Sequence, residues 1–317
     1  MGQACRSHDD AVIIVAGEAL IDLILHPDDH LTVIPGGGPF NTARTIGRLG
    51  VEVAFLGRLS TDRFGGILSA ALASAGVDLR WAVMTEAPST LAVAELDAAG
   101  SASYRFHLAE TSAPGLTLED TLAVLRSEPR AIHVGTLGLV VDPMASALAA
   151  GIGRAGNATL VMVDPNCRPR VIPDREAYLA RLQLVLARAD VVKVSADDLT
   201  YMAPDTAPVD AARALVTDGT GVVLLTDGAR PITVLTREFT CELPVPKAAT
   251  VDTVGSGDAF GGAFLARWIE RGLGRADLAD AAALREAVDL AIKVASLTCE
   301  RPGADPPYRA ELDWPAP

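Results

Sequence analysis

Cysteine and histidine are scarce in this 317-residue chain, and long apolar runs are missing from it. The four cysteines, Cys5, Cys167, Cys241 and Cys299, are widely spaced with no C-x-x-C pair. That spacing argues against disulfide staples and a thiolate metal site, and it favours a reducing cytoplasm. The five histidines, at 8, 26, 30, 107 and 133, show no H-E-x-x-H or related ligand spacing. No run reaches the roughly 18 apolar residues of a membrane span. The polar stretch 1–10 leads into an apolar run, 11–16, too short for a signal-peptide core. Positive charge is also in short supply, with 27 Lys and Arg against 40 Asp and Glu, a formal net charge of −13. That balance excludes nucleic acid and an anionic membrane surface as expected partners, but an anionic ligand needs only a local positive pocket.

What the chain does have is enough apolar residue, 50% against 21% charged, for a sizeable core in one large α/β domain or two smaller ones. Residues 11–17 form a short apolar run ending in a glycine, the pattern of a buried parallel strand. Strands are predicted next at 18–25 and 31–34. Asp22 stands alone there among aliphatic neighbours, and a charge in such a run is costly to bury without a partner, so it is a candidate ligand acceptor. Gly36-Gly37-Gly38-Pro39-Phe40-Asn41 then opens a helix predicted over 42–49. Gly37 and Gly38 offer exposed backbone N–H groups, and Asn41 is a poor helix former but a two-way hydrogen bonder, so this stretch reads as a ligand loop.

A strand at 51–57 precedes a helix at 64–75, for which Asp62 is the expected cap. Strands at 83–84, 90–96 and 101–107 follow, with a hairpin turn at 97–100. The strands at 18–25, 31–34, 90–96 and 101–107 are expected to form a small sheet of their own. Beyond 111 the pattern alternates in units of roughly 30 residues. Helices at 117–127, 144–155, 175–188 and 209–217 lead to strands at 131–135, 158–164, 191–195 and 222–227. Such alternation builds a parallel sheet covered on both faces. A hairpin at 232–235 and 239–243 and helices at 260–271 and 281–299 complete the chain. The expected division is a discontinuous core, 1–16, 35–88 and 111–317, and a β lid, 17–34 and 89–110.

Ligands of open α/β sheets bind beyond the carboxyl ends of the strands. Three such ends are polar: Asp164-Pro-Asn166-Cys-Arg168, Lys193-Val-Ser195-Ala-Asp197-Asp198 and Thr226-Asp227-Gly228. The most informative stretch is Asp252-Thr253-Val254-Gly255-Ser256-Gly257-Asp258-Ala-Phe-Gly-Gly262, a glycine turn feeding a helix and bracketed by two acids. Unpaired N–H groups and the positive dipole end make such a turn an anion site. It is no Walker loop, because no Lys-Ser/Thr pair follows the glycines. The dinucleotide fingerprint fails on context, because no apolar strand leads into it. Phosphoryl transfer to a hydroxyl explains the awkwardly placed Asp258. The turn stabilises charge on the moving group while Asp258 orients and finally deprotonates the acceptor. At a helix N-terminus Asp258 is expected to stay ionised.

The 252–260 stretch resembles the C-terminal signature of the PfkB, or ribokinase-like, carbohydrate kinases. Gly36 to Asn41, with Gly57-Arg-Leu-Ser-Thr-Asp62-Arg-Phe-Gly65, resembles the N-terminal one. The resemblance implies an α/β fold of the ribokinase-like type, three layers α/β/α with a mainly parallel central sheet and a small β-sheet lid. It implies ATP as donor, Mg²⁺ as bridging ion and a possible K⁺. Carried over by position, Asp258 is the catalytic base and Gly255, Ser256 and Gly257 the anion hole. Asp22, Gly37, Gly38 and Asn41 bind the sugar, joined by Tyr104, Arg105 and Arg168. Lys193, Ser195, Thr226, Gly228, Thr253 and Gly257 fall on the nucleotide side. Asp252, the Val254 carbonyl and the 299–304 turn resemble a monovalent-cation loop.

The family's Asn-x-x-Glu appears here as Ser195-Ala-Asp197-Asp198, which leaves Asp198 as the candidate Mg²⁺ carboxylate. Leu20 stands where ribokinases carry an asparagine, which disfavours ribose. Gly17-Glu18-Ala-Leu-Ile-Asp22 with Asp164-Pro-Asn166-Cys-Arg168 is most similar to bacterial fructokinases, so fructose is the expected acceptor. 2-Keto-3-deoxygluconate kinase and ribokinase are the alternatives, and a non-catalytic sugar- or nucleotide-binding regulator is the alternative of another class. A homodimer through the lid strands 18–34 and 90–107 is also expected.

Overall fold

The computed structural model describes residues 12–97 and 102–316. Cys5, His8 and most of the predicted 97–100 turn lie outside those residues. Strand β1 (Ile13–Ala16) is buried throughout, then Gly17 turns the chain into the hairpin β2 (Leu20–Leu25) and β3 (Leu31–Gly36). Helix α1 spans Gly38–Arg48 and so begins four residues before the predicted start. Gly37, at φ 111, caps it, and Pro39 sits in the first turn, where its missing N–H costs nothing. The predicted strand at 51–57 is β4 (Val53–Leu56), followed after Gly57 by a short β5 (Arg58–Ser60). Helix α2 (Arg63–Ser74) is capped as expected, since Asp62 Oδ1 accepts the Gly65 N–H at 2.8 Å.

Strands β6 (Val83–Thr85), β7 (Leu91–Leu96) and β8 (Ala102–His107) precede α3 (Leu118–Leu125), whose N-terminus is closed by a Thr117–Asp120 capping box. The alternating region then runs β9 (Ala131–Gly135), α4 (Met144–Ile152), β10 (Leu160–Asp164), α5 (Arg175–Leu186) and β11 (Val191–Ser195). It continues with α6 (Ala196–Met202), α7 (Pro208–Thr217) and β12 (Val222–Thr226). The hairpin β13 (Ile232–Leu235) and β14 (Thr240–Leu243) leads to α8 (Ser256–Glu270) and α9 (Ala281–Cys299).

Eight strands form the main sheet in the order β14-β13-β12-β11-β10-β9-β1-β4. The six from β12 to β4 are parallel, and the terminal hairpin runs antiparallel. Side chains alternate across a strand, and this separates two apolar layers. Ile13, Val15, Met162 and Val191 pack with α1, α2, α8 and α9. Ile14, Ile132, Val161 and Val192 pack with α3, α4, α5, α6 and α7. The result is the three-layer arrangement that the alternation implied. Lys193 and His133 share the α8 face by the same alternation. A second sheet, ordered β3-β2-β7-β8, is the separate small sheet expected from the sequence.

Two elements depart from expectation in ways that matter for function. Helix α8 starts at Ser256 and not at Phe260, so Ser256, Gly257 and Asp258 form its first turn. Helix α6, not predicted from the sequence, exists because Ser195 and Asp198 close a capping box on each other.

Candidate active site

The parallel strands end beneath the small sheet in a cleft of about 690 Å³. Asp22, Tyr104 and Phe106 approach it from the small sheet, and Gly37, Gly38 and Asn41 from the start of α1. Asn166, Arg168, Arg170 and Lys193 come from the strand ends, and Asp252 to Gly255, Gly257 and Asp258 from the turn into α8. Two helix N-termini from opposite ends of the sequence therefore face one space.

The turn into α8 depends on its glycines. Gly255 has φ +75, and a Cβ there would lie 2.3 Å from the Ala304 Cβ. At Gly257 a Cβ would lie 2.8 Å from Lys193 Nζ, so the ammonium group stands directly against the first turn of the helix. Ser256 is turned away: its N–H (3.3 Å) and its hydroxyl (2.9 Å) both donate to the Thr253 carbonyl. Of the three residues assigned to the anion hole, Gly255 and Gly257 border the cleft and Ser256 closes the turn behind them.

Asp258 is 8% exposed and accepts a hydrogen bond from Asn41 Nδ2 at 2.9 Å. The Thr42 hydroxyl donates to the Asp258 carbonyl at 3.4 Å, fixing α1 and α8 side by side. The expectation of a fully ionised aspartate needs correction. Burial pushes its pKa up to about 7; the Asn41 bond, Lys193 and Arg168 pull down while Asp164 pushes up. The helix dipole is outweighed because α1 packs over the carboxylate and removes water. Lys193 is buried and bonds Asp164 Oδ2 at 2.9 Å. Burial pulls its pKa down, but Asp164, Asp258 and Asp198 more than offset that, so the ammonium stays charged.

On the opposite side Asp22 lies mid-strand in β2, paired with Ile34 and Ala92. Its carboxylate covers Gly36, where a Cβ would lie 2.2 Å from Asp22 Oδ2. Burial raises its pKa to about 6, against the pull of Arg168. Tyr104 and Phe106 stack at 6.5 Å between ring centroids and line the cleft. Arg105, between them, points to the other face of the sheet, is 73% exposed and lies 3.9 Å from Glu95. Arg105, assigned to the sugar site from the sequence, therefore lies outside the lining of this cleft. Arg168, held by Asn166 Oδ1 at 2.5 Å, stays in the cleft, and Arg170, which the sequence reading missed, joins it.

Asp198 is also used differently from expectation. Its Oδ2 accepts from the Ser195 N–H and hydroxyl at 3.0 and 2.6 Å, and its Oδ1 accepts from the Cys167 N–H at 2.7 Å. Both oxygens are committed to capping α6 and fixing residue 167, because an aspartate at this position folds back onto its own cap. Ser195 is the other half of that box, and Thr226, beside it in the sheet, donates to the Val194 carbonyl at 3.4 Å. Ser195, Thr226 and Gly228 thus extend the strand-end row beyond Lys193, outside the cleft lining. Asp252 Oδ1 accepts from the Val254 N–H at 3.0 Å and its Oδ2 from the Gly303 N–H at 2.9 Å. The Val251 and Asp252 N–H groups donate to the Cys299 carbonyl, so the 252–254 loop and the 299–304 turn do lie together. Among the described residues no three His, Cys, Asp or Glu side chains converge to hold a metal ion.

Glu18 and Asp164 stood within motifs read from the sequence but were given no role of their own. Glu18 Oε1 accepts from the Gly38 N–H at 3.1 Å and Oε2 from the Gly138 N–H at 3.0 Å. Burial pushes its pKa up to about 8, although these bonds oppose the shift. The available signal was position: an acid directly after the glycine that ends β1, and another closing β10.

This geometry has close relatives. Residues 10–311 match the pfkB family carbohydrate kinase description. A fructokinase of Rhizobium leguminosarum bv. trifolii is 32% identical over 80% of this chain and 79% of its own. The crystal structure of a fructokinase with bound ATP from Xylella fastidiosa is similar at TM-score 0.86 and 30% identity, covering 93% of this chain and 94% of that one. A Vibrio cholerae O395 fructokinase double mutant, in a fructose-, ADP- and potassium-bound form, is similar at TM-score 0.81 and 26% identity, covering 94% and 95%. With a family match that runs nearly end to end and solved relatives that follow the fold along the same span, the chain belongs to the pfkB family of carbohydrate kinases.

Proposed function

We propose that the protein transfers the terminal phosphoryl group of ATP to a hydroxyl of fructose. The observation that carries this reading is Asp258, buried between Asn41 on α1 and the glycine turn of α8, with Lys193 beside it. A sugar held by Asp22, Asn41 and the backbone of Gly37 and Gly38 brings a hydroxyl to Asp258. The N–H groups of the α8 turn and the Lys193 ammonium face the moving phosphoryl group, whose charge grows on its outer oxygens. Asp258 orients the hydroxyl and takes its proton as the bond forms. Ser195, Thr226, Gly228 and Thr253 continue from Lys193 toward the remainder of the nucleotide.

Magnesium fits this site as an ion carried on the nucleotide, since Mg²⁺ is usually held by phosphates, water and one or two carboxylates. Asp164, whose Oδ1 has no hydrogen-bond partner among the described residues, is the carboxylate placed for it. When bound, it would neutralise phosphate charge. A potassium ion fits the 252–254 loop and the 299–304 turn, where it would stiffen the presentation of Gly255. Asp198 takes no part in either reading.

Arg168 and Arg170, both in the cleft, favour one second reading, an acidic acceptor such as 2-keto-3-deoxygluconate. Ribose is disfavoured by the apolar Leu20 in the lining. ADP release measured over fructose, ribose, ketodeoxygluconate and nucleosides decides among them, with Asp258→Asn as control. Fructose is expected to give the highest kcat/KM; preference for the acidic sugar would move the assignment, and parental turnover in the variant would remove the mechanism.

The small sheet is also proposed as a dimer surface, through 18–34 and 90–107. Its edge strands are β3 and β8, and Leu31 and Val33 are 47% and 40% exposed. Sedimentation as a monomer at micromolar concentration would count against it. A cytoplasmic location is proposed with it; no described helix is long and apolar enough to cross a membrane.

A further inference from the structure

Phosphoryl transfer leaves one buried acid at the site without a role. Glu18 is 1% exposed, and an acid so deeply buried is normally paired with a cation. Its partners are instead backbone N–H groups, among them those of Gly38 and Gly138 at 3.1 and 3.0 Å. Gly38 opens α1, so its N–H is one of those a helix leaves unpaired. Gly138 lies in the single 3-10 turn, Thr136–Leu139, that follows β9. One carboxyl group thus joins three segments that are distant in sequence: the turn after β1, the start of α1 and the turn after β9.

The surroundings are cut to this carboxylate. A Cβ on Gly37 would lie 2.8 Å from the Glu18 carbonyl and 3.3 Å from its Cγ. A Cβ on Gly138 would lie 3.3 Å from the Gly17 Cα and 3.8 Å from Glu18 Oε2. The far side of Gly38 meets the chemistry, because a Cβ there would lie 2.2 Å from Thr136 Oγ1 and 3.4 Å from Asp258 Oδ1. Three residues on, Asn41 donates to the same aspartate. Any slippage of the α1 start relative to the β9 turn therefore changes how Gly38 and Asn41 meet Asp258.

We propose that Glu18 is a positioning residue: it clamps the N-terminus of α1 to the turn after β9 and so holds Gly38 and Asn41 in register with Asp258. The inference rests on the kinase reading. Glu18→Gln keeps the shape but replaces one acceptor oxygen with an NH₂ group, which must then face an N–H donor. The test is steady-state phosphorylation of fructose together with calorimetric binding of ADP, on the full chain. Expected is a kcat at least tenfold lower and a raised fructose KM, with ADP affinity within twofold of the parent, because Glu18 does not brace the Lys193 end. A folded variant with kcat and fructose KM both within twofold would overturn the proposal. So would a parallel loss of ADP affinity, the mark of general damage to the fold.

Amide exchange in the parent protein, read by NMR, covers the case of a variant that does not fold. The Gly38 and Gly138 N–H groups are expected to exchange as slowly as those of β1, and exchange at the rate of exposed amides would overturn the clamp. A parent that phosphorylates no sugar would sink the kinase reading, and the exchange result would still decide on the clamp.

Discussion

Replacing Asp258, the proposed base, should make the protein more stable. The Asp258 carboxyl is lifted from 3.8 to about 7, chiefly by burial. Three units at about 1.36 kcal/mol each put the cost of holding its charge in the fold at about 4 kcal/mol above pH 7. The sign follows from proton uptake. With its pKa raised, the folded state holds a proton that the unfolded chain has already released. Stability is therefore fully present below about pH 4 and falls as the pH rises to about 7. An asparagine in its place cannot ionise, and its side-chain oxygen can still accept the Asn41 amide, so Asp258→Asn removes the cost and keeps the bond. At pH 8 the variant should be stabler by about 4 kcal/mol, at pH 5 by less than half of that. Urea unfolding followed by circular dichroism at both pH values measures the gain as a shift in midpoint. A variant no stabler than the parent at pH 8, or a gain independent of pH, would refute the claim that this carboxylate is ionised at the fold's expense. The same substitution should cost roughly 10² to 10⁴ in kcat, the usual worth of a positioned base.

Other consequences follow from the same geometry. Since the proposed base acts ionised and burial pushes the Asp258 pKa up to about 7, kcat/KM for the sugar should fall about tenfold per pH unit in the acid limb below that value. A limb starting near pH 4 would contradict it. Asp22→Asn should raise the fructose KM by roughly 10- to 100-fold, the range of a lost hydrogen bond to a charged group. Arg105→Ala, on the outer face of the small sheet, should leave that KM within twofold; the two constants are measured side by side. Gly257→Ala would place a Cβ 2.8 Å from Lys193 Nζ. The displaced ammonium should raise the KM for ATP and lower kcat, and unchanged constants for both would show that Lys193 does not serve the phosphoryl group.

The sheet and its layers were legible because apolar runs and their periods report burial directly. Residues 131–135 and 191–195 read as strands and are strands, and the strand read at 222–227 ends one residue earlier. The 252–262 stretch was legible as an anion turn because glycines and an acid have few other reasons to share it. Facing was harder. Tyr104 and Arg105 are neighbours, and only the pairing of β8 with β7 decides which of them meets the cleft. Helix α6 was missed although its capping pair Ser195–Asp198 was in view, because two consecutive aspartates after a strand look like a loop and like metal ligands equally well. The position of Glu18 after Gly17 was visible, but what it binds was not, since one of its partners is a backbone N–H 120 residues away. Lys193 was placed by resemblance; that Asp164 holds it needed coordinates, as did the pKa of Asp258, which depends on what α1 covers.

The bond from Asn41 to Asp258 spans 217 residues of chain. During synthesis at about 5–20 residues per second, roughly 10 to 40 s pass between the two partners leaving the ribosome. Meanwhile the apolar side of α1, with Phe40, Ala43 and Ile46, waits for α8, against which it packs in the finished fold. A chain cut short before the last quarter keeps the loops proposed to contact the sugar and keeps Lys193, but lacks Asp258, the proposed base, and the turn proposed to draw the phosphoryl group. Abortive translation products of this protein should therefore be inert toward ATP and sticky along α1. Consumption of ATP begins only when the polypeptide is nearly complete.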